Sequence, residues 1–247
     1  TMNAKNRVAL VTGGALRIGA EISRELHRRG YTVLIHYRSS QAAATELVQT
    51  LNSTRADSAY CFQADLSSNE DIRLLADFAK GIAGGVDALV NNASSFYPTK
   101  IDQASEDDWN SLIDSNLKGP FFLTQSLVGT LKERKGNVIN IVDIHSERPM
   151  LDHSIYCIAK AGVAMMTKTL AKDLAPNIRV NGVSPGAILW PDHEMNDDTK
   201  QSILNKIPLA RVGESPDIAK TVAFLIEDSP YITGQIIAVD GGRNLTM

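Results

Sequence analysis

This chain of 247 residues contains few cysteines and few aromatic residues, and neither sign of charge is in large excess. Its two cysteines, Cys61 and Cys157, lie far apart and form no CxxC pair, which argues against a disulfide framework or a thiolate metal site. The net charge is −3 and the Lys and Arg residues are scattered. The sequence therefore lacks the basic stripe that would predict nucleic-acid binding. Composition therefore favours reduced thiols, no metal and no nucleic-acid partner.

Long apolar runs and targeting signals are also missing. No apolar run reaches the ~18 residues that a membrane span needs, and no signal-peptide pattern precedes Arg7. We therefore expect a cytoplasmic protein without a membrane partner. A chain of this length can bury a deep core, and α/β chains of this size often remain one domain, here residues 1–247.

The chain does have a regular alternation of short apolar runs and longer helical patterns. Seven runs are nearly continuous in apolar residues, as expected of parallel strands covered on both faces. They span residues 7–12, 31–37, 58–63, 86–91, 136–142, 178–184 and 234–239. Helical patterns span 17–29, 41–51, 69–82, 106–131, 153–174 and 215–226. This alternation predicts an α/β fold, a single-domain Rossmann fold with a doubly wound seven-stranded parallel sheet.

One stretch, residues 187–198, is the least like regular structure. It follows the sixth predicted strand, at the carboxyl edge of the sheet where ligands bind in such folds. It is either a substrate loop or a plain surface loop, and we expect the former.

A glycine-rich turn, TGGALRIG at residues 12–19, joins the first strand to the first helix. Glycines there let backbone N–H groups approach a pyrophosphate at the helix N-terminus. The second strand ends in His36, Tyr37, Arg38 and Ser39, without the acid that an NAD site uses for the ribose 2′-hydroxyl. Because Arg38 can pair with a 2′-phosphate, the sequence predicts NADPH/NADP rather than NAD.

The candidate catalytic groups are Tyr156 and Lys160, four residues apart on one helix face, with Asp143 thirteen residues before the tyrosine. A nearby ammonium favours an ionised phenol, so we expect Lys160 to lower the pKa of Tyr156. A carboxyl group can carry a charge, take up a proton and accept two hydrogen bonds from a flat nitrogen heterocycle. Asp143 could instead simply cap the segment that follows its strand.

Several ordered motifs resemble the short-chain dehydrogenase/reductase family over essentially the whole chain. They are the glycine turn, Asp65, Asn91-Asn92-Ala93, Asn116, Tyr156 with Lys160, Pro185-Gly186 and Asp240-Gly241-Gly242. Arg17, Ser94 and Asp143 stand where the family usually has glycine, glycine and serine, and they resemble its pteridine reductase branch. That resemblance implies reduction of a dihydropterin or dihydrofolate by a homotetramer.

The resemblance also implies roles for individual residues. Asp143, Tyr156, Lys160 and Asn116 would be catalytic, with Asn116 keeping a water beside the lysine. Arg17, Ser94, Phe96, Asp143 and Tyr156 would contact the substrate, and Phe96 would cover one face of the pterin. The expected cofactor-binding residues are Gly13, Arg17, Ile18, His36, Tyr37, Arg38, Ser39, Asp65, Leu66, Asn92, Ala93, Ser94, Tyr156, Lys160, Pro185 and Gly186.

Other interpretations remain open. Asp65 could be a helix N-terminal acid, Phe96 could be core packing, and Asn116 could satisfy a backbone group inside a helix. His145 and His153 lie beside the candidate site, and we assign them no role. The chain could also be a 3-oxoacyl carrier-protein reductase or another carbonyl reductase, or an NADP-binding regulator without catalysis.

Overall fold

The structure, a computed structural model, describes residues 7–188 and 196–246. In these ranges seven parallel strands form one sheet in the order β3-β2-β1-β4-β5-β6-β7. The strands are β1 Val8–Val11, β2 Thr32–Tyr37, β3 Ala59–Gln63, β4 Ala88–Asn91, β5 Asn137–Ile141, β6 Arg179–Pro185 and β7 Ile236–Val239. The predicted doubly wound sheet is confirmed, and every strand lies where the apolar runs placed it.

Eight α-helices lie in the same described ranges. They are α1 Arg17–Arg28, α2 Gln41–Thr54, α3 Asn69–Gly81, α4 Glu106–Ile113, α5 Gly119–Arg134, α6 Ser154–Leu174, α7 Asp197–Leu204 and α8 Ser215–Ala223. Polar caps mark some of the starts, because a side-chain oxygen satisfies a free helical N–H there. Ser68 accepts from the N–H of Asp71 at α3, and Ser105 forms a capping box with Asp108 at α4.

The strands alternate their side chains between two cores, one on each face of the sheet. Ala9 and Val11 belong to a core shared with α1, α2 and α8, whereas Val8 and Leu10 belong to a core shared with α3 and α5. All four of these β1 side chains are fully buried. This two-sided burial explains why the strands are continuous in apolar residues rather than alternating.

Two predicted helices differ in detail. The continuous helix expected over 106–131 is interrupted by a π-helical turn, Asp114–Lys118, and the helix expected to reach residue 226 passes into a second such turn, Phe224–Asp228. Apolar spacing runs through both places without a visible break, so the pattern could not reveal a widened turn. Such turns occur often at functional sites.

The predicted substrate loop, residues 187–198, lies largely outside the described residues, which omit 189–195. Its end is helical rather than irregular, because α7 begins at Asp197. Asn196 caps this helix, with its side-chain oxygen accepting from the N–H of Thr199 at 2.8 Å. The polar run that reads as a loop therefore contains a helix start.

Large apolar side chains are exposed on the helices that follow β4 and β5. They include Trp109 on α4, Phe121 on α5, and Ile158 and Met165 on α6. These are the helices from which the expected homotetramer would be built. The assembly stays a prediction, to be checked by light scattering at micromolar concentration.

Candidate active site

The loops that follow β1 and β4 are bonded directly to each other at the carboxyl edge of the sheet. The Thr12 hydroxyl accepts from the N–H groups of Asn92 and Ala93 at 2.9 and 3.0 Å. The Asn92 amide donates to the carbonyls of Thr12 and Gly13 at 3.0 and 3.1 Å. Because β1 pairs with both β2 and β4, this is the point where the strand order reverses and a crevice opens.

Glycine is required at two positions in this turn. Gly13 has φ of +58°, in the left-handed region that favours glycine. A Cβ on Gly19, in the first turn of α1, would lie 2.0 Å from the Gly13 carbonyl oxygen and 2.6 Å from the Asn92 amide nitrogen. The turn thus leaves its backbone uncovered beside the start of α1, which is the cradle that a pyrophosphate needs.

His36 supports this turn from below. Its Nδ1 accepts from the Gly13 N–H at 3.1 Å, and its Nε2 lies 3.0 Å from the Ala64 carbonyl. Since Nδ1 is an acceptor, the proton is on Nε2, and burial lowers the pKa of His36 so that the ring is neutral. Although His36 lines the cleft, both its ring nitrogens are bound to backbone, so its role is to hold the glycine turn.

A cleft of about 380 Å³ runs along this edge. Twelve of the sixteen expected cofactor-binding residues line it, namely Gly13, Arg17, Ile18, His36, Tyr37, Arg38, Ser39, Asp65, Leu66, Asn92, Ala93 and Ser94. The other four, Tyr156, Lys160, Pro185 and Gly186, do not line it. The cleft is also lined by Ala15, Leu16 and Gly19, which belong to the glycine turn 12–19, and by Ser40, which the sequence offers as a further phosphate donor. Sequence reasoning missed Ser95, after the Asn91-Asn92-Ala93 motif, and Ser115, which belongs to the π-helical turn.

The end of the cleft at β2 carries the positive charge expected for a 2′-phosphate. Arg38 and Ser39 are exposed there. Asp65 faces the same region, and its pKa is lowered by hydrogen bonds from the backbone and hydroxyl of Ser67, with Arg38 adding to the effect. The N-cap of α3 is Ser68, so Asp65 lies just before that helix and does not cap it.

Asp143 and Tyr156 form a direct hydrogen bond across the site. The tyrosine hydroxyl donates to Asp143 Oδ2 at 2.7 Å, and Asp143 Oδ1 accepts from the N–H of His145 at 2.8 Å. The carboxylate therefore caps the short helical turn Ile144–Ser146 and at the same time contacts the Tyr156 hydroxyl. Each carboxylate oxygen retains a lone pair for a further donor.

The expected effect of Lys160 on Tyr156 is wrong for this geometry. Burial raises the pKa of Tyr156 well above its usual range, and the negative charge and hydrogen bond of Asp143 raise it further. Lys160 is itself buried, which lowers its pKa to about 8, and its ammonium donates to the Ile141 carbonyl at 3.0 Å. Tyr156 is therefore a neutral phenol whose hydroxyl donates a hydrogen bond to Asp143.

Asn116 sits in the π-helical turn and satisfies backbone groups, as the alternative interpretation held. Its amide nitrogen donates to the carbonyls of Leu112 and Ser95, both at 2.9 Å. Its oxygen accepts from the Ser94 hydroxyl at 2.6 Å. Asn116 thus ties the helix to the loop after β4, while the proposed water beside Lys160 stays a prediction.

An aromatic platform lies next to the tyrosine. Phe96 is 54% exposed, so it is not core packing. Its ring meets the edge of Tyr156 at 4.9 Å between centroids and stacks on His153 at 4.7 Å. His145, by contrast, is buried, with Nδ1 2.8 Å from the Arg148 carbonyl. One flat, solvent-facing aromatic surface therefore lies beside the Tyr156 ring.

Two other kinds of site are absent from the described residues. No group of three or more His, Cys, Asp or Glu side chains there is arranged to hold a metal ion. None of the helices in those ranges combines the length and apolar character needed to cross a bilayer.

Comparison with known proteins places this geometry in a family. Residues 14–244 match the family described as Enoyl-(Acyl carrier protein) reductase. The chain is 37% identical to 3-oxoacyl-(acyl-carrier-protein) reductase FabG of Staphylococcus epidermidis, covering 96% of this chain and 98% of that protein. It is equally 37% identical to pteridine reductase 1 of Leishmania tarentolae, covering 97% and 96%. FabG of Staphylococcus aureus is 36% identical, covering 95% and 96%.

These matches, the parallel sheet and the Tyr156–Lys160 pair define the class. The chain belongs to the short-chain dehydrogenase/reductase family and is an oxidoreductase. The similarities do not single out one substrate, since reductases of two kinds match at the same identity.

Proposed function

We propose that the enzyme uses NADPH to reduce a pteridine, a dihydropterin or dihydrofolate, to its tetrahydro form. The observation that carries this proposal is the 2.7 Å hydrogen bond between Asp143 and Tyr156. Carbonyl reductases, by the resemblance described above, have serine where this chain has Asp143. A carboxyl group at that position suits a substrate that presents N–H donors and takes up protons on ring nitrogen.

The residues fit the expected cofactor. The glycine turn leaves backbone uncovered at the start of α1, and Arg38 with Ser39 places donors at the end of β2. NADPH held there would supply the hydride, and the protein would supply orientation and protons. Cofactor choice rests on Arg38 and on the absence of an acid at the end of β2.

The Asp143–Tyr156 pair handles the proton. When Asp143 is ionised, loss of the Tyr156 proton would leave two negative charges side by side, which is why the acid raises the pKa of the phenol. Tyr156 is thus kept as a neutral phenol that would give its proton to the substrate, and the hydrogen bond to Asp143 would hold its hydroxyl in position.

The aromatic platform suits the same substrate class. The exposed face of Phe96 offers stacking area to a flat, electron-poor ring, and stacking makes no demand for a particular hydrogen-bonding edge. His153 already covers one face, so only the other is open to a substrate ring. Asp143 would then bind the polar edge of that ring.

A second candidate is the reduction of a 3-oxoacyl thioester or another carbonyl. The comparisons favour this candidate over pteridine reduction, because two of the three relatives described above are 3-oxoacyl reductases and the matched family is also named for an acyl carrier protein. The carboxylate beside Tyr156 favours the pteridine instead. A regulator without catalysis is the third possibility, and any turnover would exclude it.

The deciding experiment compares substrates and variants. kcat/KM is measured with NADPH for a dihydropterin, dihydrofolate and a 3-oxoacyl thioester, in the wild type, Asp143→Ser and Asp143→Asn. Loss of an acid–base group changes rates by roughly 10²–10⁴-fold. We expect a loss of that size on the dihydropterin, with little change in the NADPH dissociation constant. Asp107→Ser, on the exposed first turn of α4, is the matched control.

Two outcomes would overturn the proposal. One is a wild-type enzyme that reduces the 3-oxoacyl thioester and not the pterins. The other is unchanged pterin turnover in Asp143→Ser, because the carboxylate would then be only a cap for the turn that follows β5.

A further inference from the structure

The segment that carries Phe96 is irregular, but its backbone is fixed at both ends. Residues 92–98 belong to no helix or strand. On one side, the Asn116 amide donates to the carbonyl of the residue before Phe96 at 2.9 Å. On the other side, the N–H of the buried Thr99 donates to the Asp152 carbonyl at 2.6 Å. These bonds hold the backbone near the start of α6, and they do not fix the Phe96 side chain.

His153 occupies the N-cap position of α6, and its ring has a fixed orientation. Its backbone pairs with Thr99 in an isolated bridge, and its carbonyl accepts from the N–H of Cys157 at 2.9 Å. Its Nδ1 lies 2.7 Å from the Leu151 carbonyl, so this nitrogen carries the proton and donates it to that bond. Asp152, just before it, has φ of +59°, a conformation that Asp adopts more readily than most residues. The tight turn and the hydrogen bond together tie the imidazole to the backbone.

Three aromatic rings meet at this helix start. Phe96 stacks on His153 with 4.7 Å between the ring centroids and 15° between the planes, and it meets Tyr156 edge-on at 4.9 Å and 80°. His153 and Tyr156 are three residues apart, so they are neighbours on one face of the helix. The Phe96 ring therefore rests against two side chains of α6, although 54% of the residue is exposed.

We propose that His153 is a positioning residue, which holds the Phe96 ring in one orientation beside Tyr156 with a single face open. A side chain that is free to rotate loses entropy when a ligand orders it, and that loss weakens binding. The stack on His153 orders the ring before any ligand arrives. The effect on turnover rests on the proposed function, in which the open face would take the pteridine ring, whereas the orientation of Phe96 does not depend on the substrate.

The geometry separates His153 from the handling of the proton. Within the described residues, the His153 ring makes its hydrogen bond to Leu151, and none joins it to Asp143, Tyr156 or Lys160. Tyr156 therefore keeps its bond to Asp143 when the His153 ring is removed. Loss of the stack should weaken substrate binding, and so raise KM, with little effect on kcat.

Three substitutions separate the stack from the hydrogen bond. His153→Leu removes both, His153→Asn removes the ring but can keep a donor toward the Leu151 carbonyl, and His153→Phe keeps a ring without the donor. With NADPH and a dihydropterin, KM should rise by roughly 2- to 12-fold in the leucine and asparagine variants, as expected for loss of an aromatic pair. The phenylalanine variant should return KM toward the wild-type value.

A matched control breaks a similar stack away from the cleft. Phe78 on α3 stacks on Phe62 of β3 with 4.8 Å between the centroids, and neither residue lines the cleft. Phe78→Leu should therefore leave the KM for the dihydropterin unchanged.

A second readout needs neither substrate nor cofactor. 4-Fluorophenylalanine replaces Phe96, and its fluorine NMR signal reports the surroundings of that ring. The signal should move in His153→Leu and His153→Asn, return toward its original position in His153→Phe, and stay in place in Phe78→Leu.

An unmoved fluorine signal in both His153→Leu and His153→Asn would overturn the proposal. Rescue by asparagine but not by phenylalanine would also overturn it, because the hydrogen bond to Leu151 would then be the contact that matters. A moved signal with an unchanged KM, in an enzyme that reduces the dihydropterin, would overturn the role in substrate binding. A moved signal in an enzyme that reduces only the 3-oxoacyl thioester would leave the positioning of Phe96 standing and overturn the proposed substrate.

Discussion

Arg38→Ala is expected to weaken NADPH binding while leaving NADH binding nearly unchanged. Arg38 is exposed at the carboxyl end of β2 and lines the cleft beside Ser39. Only NADPH carries the 2′-phosphate that a guanidinium would bind, so the loss should fall on one cofactor. Asp65 is close enough to feel the Arg38 charge, and without that charge its carboxylate would also repel the phosphate.

The size of the effect follows from the type of bond that is lost. A hydrogen bond to a charged group contributes about 1.5–3 kcal/mol. Since each 1.4 kcal/mol is tenfold, the NADPH dissociation constant should rise by about 10- to 150-fold. Because Arg38 is exposed, water and salt screen its interaction with the 2′-phosphate. We therefore expect a rise of the NADPH dissociation constant in the lower half of this range.

The assay is a fluorescence titration of NADPH and NADH against the wild type and Arg38→Ala, at low and at moderate salt. Arg24→Ala provides a control in which an exposed arginine remote from the cleft is lost. The difference between wild type and variant should shrink as salt rises. Equal weakening of NADPH and NADH binding would refute the assignment of Arg38 to the 2′-phosphate, since the arginine would then act only on the shape of the cleft.

Two further predictions concern Lys160 and the glycine turn. Burial lowers the pKa of Lys160 from its ordinary value of 10.5 to about 8 in the folded protein. Between these two pH values the unfolded state binds more protons than the folded state. The contribution of Lys160 to the free energy of unfolding therefore rises with pH across this window. Comparing denaturation of the wild type with Lys160→Met at pH 8 and pH 10 checks the sign, and a falling difference would contradict it; kcat should also drop above about pH 8. Gly19→Ala should destabilise the fold by about 1–3 kcal/mol and abolish tight NADPH binding, because its Cβ would overlap the Gly13 carbonyl. Gly129 in α5 has open space around it, so Gly129→Ala should instead raise the free energy of unfolding by about 0.5–1 kcal/mol in thermal denaturation. Similar effects of the two substitutions would show that the close approach of Gly19 to the Gly13 carbonyl is unimportant.

Much of the fold is visible in the sequence because burial on both faces leaves an unmistakable pattern. The β1 strand is apolar at every position, and the glycine turn follows it immediately. Chain order then brings the carboxyl ends of the strands to one edge, which is how Asp143 and Tyr156 could be paired before any distance was known. The hydrogen bond between them confirms that juxtaposition.

What the sequence concealed depends on contacts that no local pattern records. The role of His36 follows from backbone partners on two different loops, Gly13 and Ala64. The high pKa of Tyr156 depends on burial and on the Asp143 charge, which spacing along a helix does not report.

The bonds between the loops after β1 and β4 carry a consequence for how the protein folds. Thr12 and Asn92 are 80 residues apart, so the cleft closes only after a long segment containing β2, α2, β3 and α3 has found its place. Contacts of such sequence separation form slowly, because loop-closure entropy is lost before they stabilise anything. A cofactor that bridges both loops binds only the closed state and stabilises it by mass action. With such a cofactor in solution the protein should therefore resist unfolding and proteolysis better, whereas its refolding should remain slow.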